Sequence, residues 1–155
     1  MNTLIIYDST YGSTEEIAQA ITDSLAQRCS VRLLRVNKVQ PSDLKGVDLL
    51  VLGCPTLKRK PTAAVQAFLD CVSRRPLKGV SAAVFDTRYR KLRLLAGSAA
   101  GVVADRLHKA GVNVLLPPQS FFVVAREGPL GEDELERATA WAHEILETLP
   151  AHETD

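Results

Sequence analysis

The sequence predicts an α/β fold in which a five-stranded parallel sheet carries helices on both faces. Five short apolar segments alternate with stretches whose apolar residues recur every three or four positions. One of these segments, 47–53, is almost continuously apolar, which is typical of a central parallel strand covered on both sides. The length of 155 residues is usual for one domain, so we expect a single domain over residues 1–150 and a frayed tail over 151–155.

The predicted strands follow one another at regular intervals along the chain. They cover residues 3–7, 31–36, 47–53, 80–85 and a fifth strand, 112–116 with 121–124, that Pro117 and Pro118 interrupt. Segment 31–36 alternates apolar with polar residues, which predicts a place near the edge of the sheet. Segment 80–85 ends at Asp86, and a basic loop is expected from residue 87 to residue 97.

Four amphipathic segments predict the helices. The first begins directly after the loop of residues 9–14, the second has Pro61 in its first turn, and the third is capped by Ser98 and stops at Gly111. The last runs from about residue 132 to residue 149, and its predicted inner face consists of Leu135, Ala138, Ala142, Ile145 and Leu149. In such a fold a ligand binds beyond the carboxyl ends of the strands, where the strand order changes direction.

The loop after the first strand is the clearest candidate site. It consists of Ser9, Thr10, Tyr11, Gly12, Ser13 and Thr14, which are mostly hydroxyl residues around one glycine. The first N–H groups of a helix lack internal partners and carry a partial positive charge, so a phosphate can bind there. Gly12 would allow a positive φ or a close approach of the ligand. The same residues also fit an ordinary turn in which Ser13 and Glu16 form a capping box.

Two motifs together resemble the flavodoxin family in its short-chain form. Flavodoxins hold the FMN phosphate in a T/S-x-T-G-x-T loop, which residues 9–14 match except at Tyr11. The segment Gly53-Cys54-Pro55-Thr56-Leu57 is similar to the loop that follows the third strand in that family. The resemblance covers nearly the whole chain in element order. It implies a doubly wound, three-layer α/β/α fold with strand order 2-1-3-4-5 and FMN as the cofactor.

The resemblance also implies roles for individual residues. The loop from Ser9 to Thr14 would hold the phosphate, and Pro55 and Thr56 would flank the ribityl chain and one edge of the flavin. Many flavodoxins stack an aromatic ring on the flavin after this Pro-Thr pair, but Leu57 stands there and offers only apolar contact. Backbone groups near the pyrimidine edge would come from Asp86, Thr87, Arg88 and Tyr89. Tyr89 is either a stacking ring or a surface residue, and the Asp86 carboxylate is expected to accept loop N–H groups rather than to act in catalysis.

The distribution of charge departs from the acidic flavin surroundings typical of the family. The net charge of +1 predicts no general attraction to nucleic acid or to an anionic membrane. The loops near the proposed flavin are nevertheless basic, with Lys58, Arg59, Lys60, Arg88, Arg90, Lys91 and Arg93. Positive charge favours the anionic reduced flavin, so we expect easier reduction of FMN and an anionic redox partner protein or small electron acceptor. The alternative is that these residues are only solvated surface.

Two classes of function fit the sequence. The first is an FMN redox protein, either a one-electron carrier or a small oxidoreductase that uses a quinone or another acceptor, which requires no catalytic side chain. The second is a binding or regulatory module that has lost FMN and uses its basic loops for an anionic partner. Other functions of this fold are disfavoured. A receiver would need an acid where Gly53-Cys54 stands, and neither a P-loop lysine nor a GxGxxG motif follows the first strand.

The remaining residue classes suggest no additional chemistry. Cys29, Cys54 and Cys71 form no CxxC pair and the histidines are scattered, so neither a disulfide framework nor a metal site is predicted. Cys54 is expected to be a packing residue. A leader segment and an apolar run of about 18 residues are both lacking, so we expect a cytoplasmic protein without membrane insertion.

Overall fold

The structure is a computed structural model that describes residues 1–57, 60–75, 77–89 and 98–149. The expected tail over 151–155 lies outside the described residues. The same holds for much of the basic loops, namely Lys58, Arg59, Arg90, Lys91 and Arg93.

The strands form one parallel sheet. They are β1 (Asn2–Tyr7), β2 (Ser30–Arg35), β3 (Leu49–Pro55), β4 (Ser81–Tyr89), β5 (Asn113–Val114) and β6 (Gln119–Val123). The order is β2-β1-β3-β4, and both β5 and β6 pair with the free edge of β4. The predicted order 2-1-3-4-5 is therefore confirmed, with two short strands at the fifth position on either side of Pro117 and Pro118. β3 is buried along its whole length and β2 lies at the edge, as predicted.

Helices cover both faces of the sheet. They are α1 (Ser13–Leu25), α2 (Ala63–Arg74), α3 (Ala99–Lys109) and α4 (Glu134–Thr148), with two short 3-10 turns, Val36–Lys38 and Pro41–Leu44, between β2 and β3. One apolar cluster joins α1 and α4 to the sheet, and a second joins α2 and α3 to the opposite face. The predicted three-layer architecture is confirmed. Within the described ranges, none of the helices is long and apolar enough to cross a membrane.

The boundary of β4 differs from the prediction because of strand pairing. The sequence predicted a loop from Thr87 onward, yet β4 continues to Tyr89. The segment from Phe85 to Tyr89 pairs in register with residues 119–123 of β6. This pairing provides hydrogen-bond partners for backbone N–H and carbonyl groups of residues whose side chains alone suggest a loop.

Two helix predictions are wrong in detail. Pro61 precedes α2 rather than lying in its first turn, because the Thr62 hydroxyl caps the helix by accepting the Val65 N–H at 3.3 Å. Leu135 is 48% exposed instead of lying on the inner face of α4. Its neighbour Glu134 is buried there, because its carboxylate accepts the Phe122 N–H at 2.8 Å.

Three aromatic rings fill the core beneath the carboxyl edge of the sheet. Phe85, Phe121 and Trp141 meet edge to face, with ring centroids 5.8 to 6.1 Å apart. A Cβ added to Gly53 of β3 would lie only 2.1 Å from the Phe85 ring. The absence of a side chain at Gly53 thus allows the Phe85 ring to pack directly against the β3 backbone just before the loop of Pro55 and Thr56.

Candidate functional site

Three loops meet in one cavity at the carboxyl edge of the sheet. The cavity has a volume of about 570 Å³ and is lined by Thr10, Tyr11, Ser13, Thr14, Pro55, Thr56, Leu57, Thr87, Arg88, Tyr89, Val123 and Arg126. Most of the predicted site residues are thus brought together. Ser9, Gly12 and Asp86 are the predicted residues that do not line this cavity. Val123 and Arg126 were missed by the sequence analysis.

The loop before α1 has the conformation expected of an anion site. Gly12 has φ +98°, a left-handed value that strains other residues, and it is the N-cap of α1. No side chain caps the first turn, so the capping box of Ser13 and Glu16 is a wrong interpretation. The Ser9 hydroxyl accepts the Gly12 N–H at 3.0 Å. Ser9 therefore holds the turn in shape and leaves the start of α1 open toward the cavity.

Asp8 anchors this loop from below. Its Oδ1 accepts the Ser9 N–H at 3.0 Å, and its Oδ2 accepts the Thr62 hydroxyl at 2.5 Å. The Arg35 guanidinium donates to the Ser9 carbonyl and lies 3.5 Å from Asp8 Oδ1. The sequence analysis did not identify Asp8, although a carboxylate directly between a buried strand and a hydroxyl-rich loop is a recognisable signal.

A buried pair of hydroxyl groups joins the first loop to β4. The Thr14 and Thr87 Oγ1 atoms are 2.7 Å apart, and both residues are almost fully buried. The start of α1 is thereby fixed against the strand that forms the opposite wall of the cavity.

The loop after β3 is held by the start of α3. The Thr56 hydroxyl accepts the Ala99 N–H at 3.0 Å and donates to Asp86 Oδ2 at 2.7 Å. The same Asp86 oxygen accepts the Ala100 N–H at 3.1 Å. Asp86 was expected to accept loop N–H groups, but the backbone N–H that it accepts belongs to the first turn of α3.

The outer part of the cavity is apolar and open. Tyr11, Leu57 and Tyr89 are each between one third and just over one half exposed on its walls. Leu57 forms an isolated bridge with Lys60, with N–H to carbonyl distances of 3.0 and 2.9 Å, so its backbone is held against that of Lys60. The cavity therefore offers hydroxyl and N–H groups at one end and apolar side chains at the other.

A turn after β6 brings Arg126 to the cavity. The Gly128 N–H donates to the Ala125 carbonyl at 3.0 Å, and the Gly131 N–H donates to the Phe122 carbonyl at 2.8 Å. A Cβ at Gly128 would lie 3.2 Å from the Ser13 Oγ, so the turn abuts the start of α1. Arg88 lies on the neighbouring strand, with its guanidinium carbon 5.7 Å from the Phe122 ring centroid.

Cys54 lies behind the cavity and is fully buried. Burial raises the pKa of its thiol, and the negative charges of Asp86 and Asp8 raise it further. A thiol held in its neutral form is a poor nucleophile, which supports the predicted packing role.

The comparison with known families decides the identity of the fold. A sequence model of the flavodoxin family matches residues 5–141. The chain belongs to the flavodoxin family. Flavodoxins are electron carriers that bind FMN, and FMN is accordingly the cofactor of this chain. The cavity fits this cofactor, because its open helix start suits a phosphate and its apolar walls suit a planar ring.

Individual relatives agree with this assignment. The chain is 28% identical over 117 residues to a flavodoxin of Maridesulfovibrio salexigens, covering 72% of this chain and 80% of the relative. Oxidised flavodoxin 2 from Bacillus cereus superimposes with a TM-score of 0.83 at 24% identity, covering 96% of this chain and 100% of that one. The rubredoxin oxygen:oxidoreductase of Desulfovibrio gigas gives a TM-score of 0.77 at 18% identity over 94% of this chain and 35% of its own. These two structural likenesses show the shared fold.

Proposed function

We propose that this flavodoxin binds FMN in the described cavity and delivers electrons to an anionic partner. The observation that carries the proposal is the cavity in which the loops after β1, β3 and β6 meet the last residues of β4. The phosphate would lie at the start of α1, and the ring would lie between Leu57 and Tyr89.

The residues of the chain would bind and orient the cofactor. FMN supplies the redox chemistry when it is bound. The N–H groups at the start of α1 and the hydroxyls of Thr10 and Ser13 would donate to the phosphate oxygens. Leu57 and Tyr89 would exclude water from the faces of the ring. The Thr14–Thr87 hydrogen bond would keep the phosphate end and the ring end at a fixed separation.

The anionic character of the partner rests on the cations of the described loops. Arg126 lines the cavity and is exposed, and Lys60 is exposed beside Leu57. Exposed positive charge raises the rate of encounter with an anion, and salt screens the attraction. A partner protein with an acidic surface and a small anionic acceptor both meet this requirement. A quinone is the alternative acceptor of the same electrons in this proposal. A cytoplasmic location is part of the proposal.

The alternative function, a module that has lost FMN, would follow from the aliphatic residue at position 57. Its side chain nevertheless lies on the wall of the cavity, and Tyr89 supplies a ring on the same site. The geometry therefore favours retention of the cofactor.

The test is the absorption spectrum of the purified protein before and after addition of FMN, with riboflavin as the control ligand. We expect flavin absorption and a riboflavin affinity lower by about a hundredfold, because two charge-assisted hydrogen bonds to phosphate contribute about 3 kcal/mol. A protein that binds neither flavin would refute the cofactor site. Oxidation of the reduced protein by ferricyanide should slow as salt is added, and a rate that rises with salt would refute the anionic partner.

A further inference from the structure

Asp86 is a buried carboxylate directly behind the cavity wall. It is 0% exposed, and both of its hydrogen bonds, from Thr56 and Ala100, reach the same oxygen, Oδ2. The described residues provide no hydrogen-bond donor for the other oxygen, Oδ1. Among the ion pairs of the described ranges, none involves Asp86. A buried charge with so few partners is costly, so its presence requires an explanation.

One residue, Thr56, connects Asp86 to the cavity. Thr56 lines the cavity and donates its hydroxyl hydrogen to Asp86. The same hydroxyl accepts the Ala99 N–H, and Asp86 accepts the next N–H of α3. The loop after β3 is thus held to the start of α3 in two ways, directly through the Thr56 hydroxyl and indirectly through the Asp86 carboxylate.

The surroundings of the Asp86 charge differ from those of Asp8, the carboxylate that follows β1. Asp8 has Arg35 within 3.5 Å, which offsets its charge. Among the described residues Asp86 has no ion-pair partner, and the start of α3 offers it a partial positive charge. Its field reaches the neighbouring strand, since it contributes to the raised pKa of the Cys54 thiol, which pairs with it in register.

We infer that Asp86 positions the Pro55–Leu57 loop and holds a negative charge behind the flavin that opposes its reduction. This inference rests on the proposed binding of FMN in the cavity. Two-electron reduction consumes two electrons from the donor and one proton from water, and it leaves an anionic flavin. A nearby negative charge weakens the binding of this anion relative to oxidised FMN, which lowers the midpoint potential.

The first test is Asp86→Asn, which removes the charge and keeps an acceptor oxygen for Thr56 and Ala100. The new NH₂ group replaces the oxygen that has no donor among the described residues. We expect oxidised FMN to bind within about threefold of the wild type. The reduced form should bind about tenfold more tightly, a ratio that raises a two-electron midpoint potential by about 30 mV. Asp105→Asn is the matched control, because it removes an exposed charge of α3, and its potential should equal that of the wild type.

The second test addresses the hydrogen bonds of Thr56 in the protein without flavin. Thr56→Val removes both hydrogen bonds of the hydroxyl, whereas Thr56→Ser keeps them. Tryptic cleavage after Lys58 or Arg59 should accelerate at least tenfold in Thr56→Val, because two lost hydrogen bonds ease opening of the loop. Thr56→Ser should be cleaved at the wild-type rate.

The outcomes separate the two proposals. A wild-type protein that binds no FMN overturns both the proposed function and the electrostatic role of Asp86. Bound FMN whose potential is the same in the wild type and in Asp86→Asn overturns the electrostatic role alone. Equal tryptic rates in all Thr56 variants overturn the positioning role, whatever the flavin does.

Discussion

Gly53→Ala tests whether close packing beneath the site determines its stability. The added Cβ would lie 2.1 Å from Phe85 Cζ, 2.4 Å from Cε1 and 2.6 Å from Cε2. Carbon atoms in contact are normally about 3.5 Å apart, so the ring or the strand must move by roughly 1.4 Å. Phe121 and Trp141 stand edge-on to the Phe85 ring at 5.8 and 5.9 Å and block its retreat.

The expected cost lies at the upper end of that measured for overpacked cores. Overpacking costs about 1 to 3 kcal/mol, and we expect about 3 kcal/mol here, because the overlap is with a rigid ring. For a chain of this length, that loss lowers the melting temperature by about 6 to 12 °C. Phe85→Leu alone should cost about 1 to 2 kcal/mol, less than complete truncation of a buried Phe.

The assay is urea unfolding followed through Trp141, the single tryptophan of the chain. The double variant Gly53→Ala with Phe85→Leu should lose at least about 1 kcal/mol less unfolding free energy than the two single variants lose together, because removing the ring relieves the overlap. If the two losses in unfolding free energy were strictly additive, the cost of Gly53→Ala would not arise from overlap with the Phe85 ring. A Gly53→Ala protein within 1 kcal/mol of the wild type would refute the steric argument itself.

Two further predictions concern the anion loop and the buried thiol. Gly12→Ala and Gly79→Ala should each lower the free energy of unfolding in urea by about 1 kcal/mol, since both positions have positive φ and open space around the added Cβ. Only Gly12→Ala should weaken FMN binding. Equal FMN affinities of the two variants would contradict the role of the loop. The raised pKa of Cys54 in the folded state means that the unfolded chain ionises first, so stability should fall above about pH 8.5 by up to about 1.4 kcal/mol per pH unit. Cys54→Ala should lack this fall in stability. If the unfolding free energies of the wild type and of Cys54→Ala changed in parallel between pH 8 and 10, the proposed effect of the Cys54 thiol would be excluded.

The sequence was sufficient to predict the fold and most of the residues that line the cavity. Apolar periodicity located every strand, and the two loop motifs located the walls of the cavity. The extension of β4 beyond Asp86 to Tyr89 could not be predicted, because it depends on pairing with β6, which is distant in sequence. That extension also separates the roles of adjacent residues. Side chains alternate along a strand, so Thr87 reaches Thr14 of α1 while Asp86 reaches Ala100 of α3 on the other face.

The alternation explains how the edge of the sheet supports a ligand site made largely of loops. On the α2 and α3 face, Asp8, which follows β1, and Asp86 of β4 each join a loop to the start of a helix, through Thr62 in one case and Ala100 in the other. On the α1 face, hydroxyl and N–H groups are left for the cavity. The two aspartates thus hold these loops from the α2 and α3 face, in addition to the Thr14–Thr87 hydrogen bond on the α1 face, and neither aspartate lines the cavity. Substitutions of the two aspartates should therefore alter the site without touching the ligand, and the charge that Arg35 offsets at Asp8 remains uncompensated at Asp86 among the described residues.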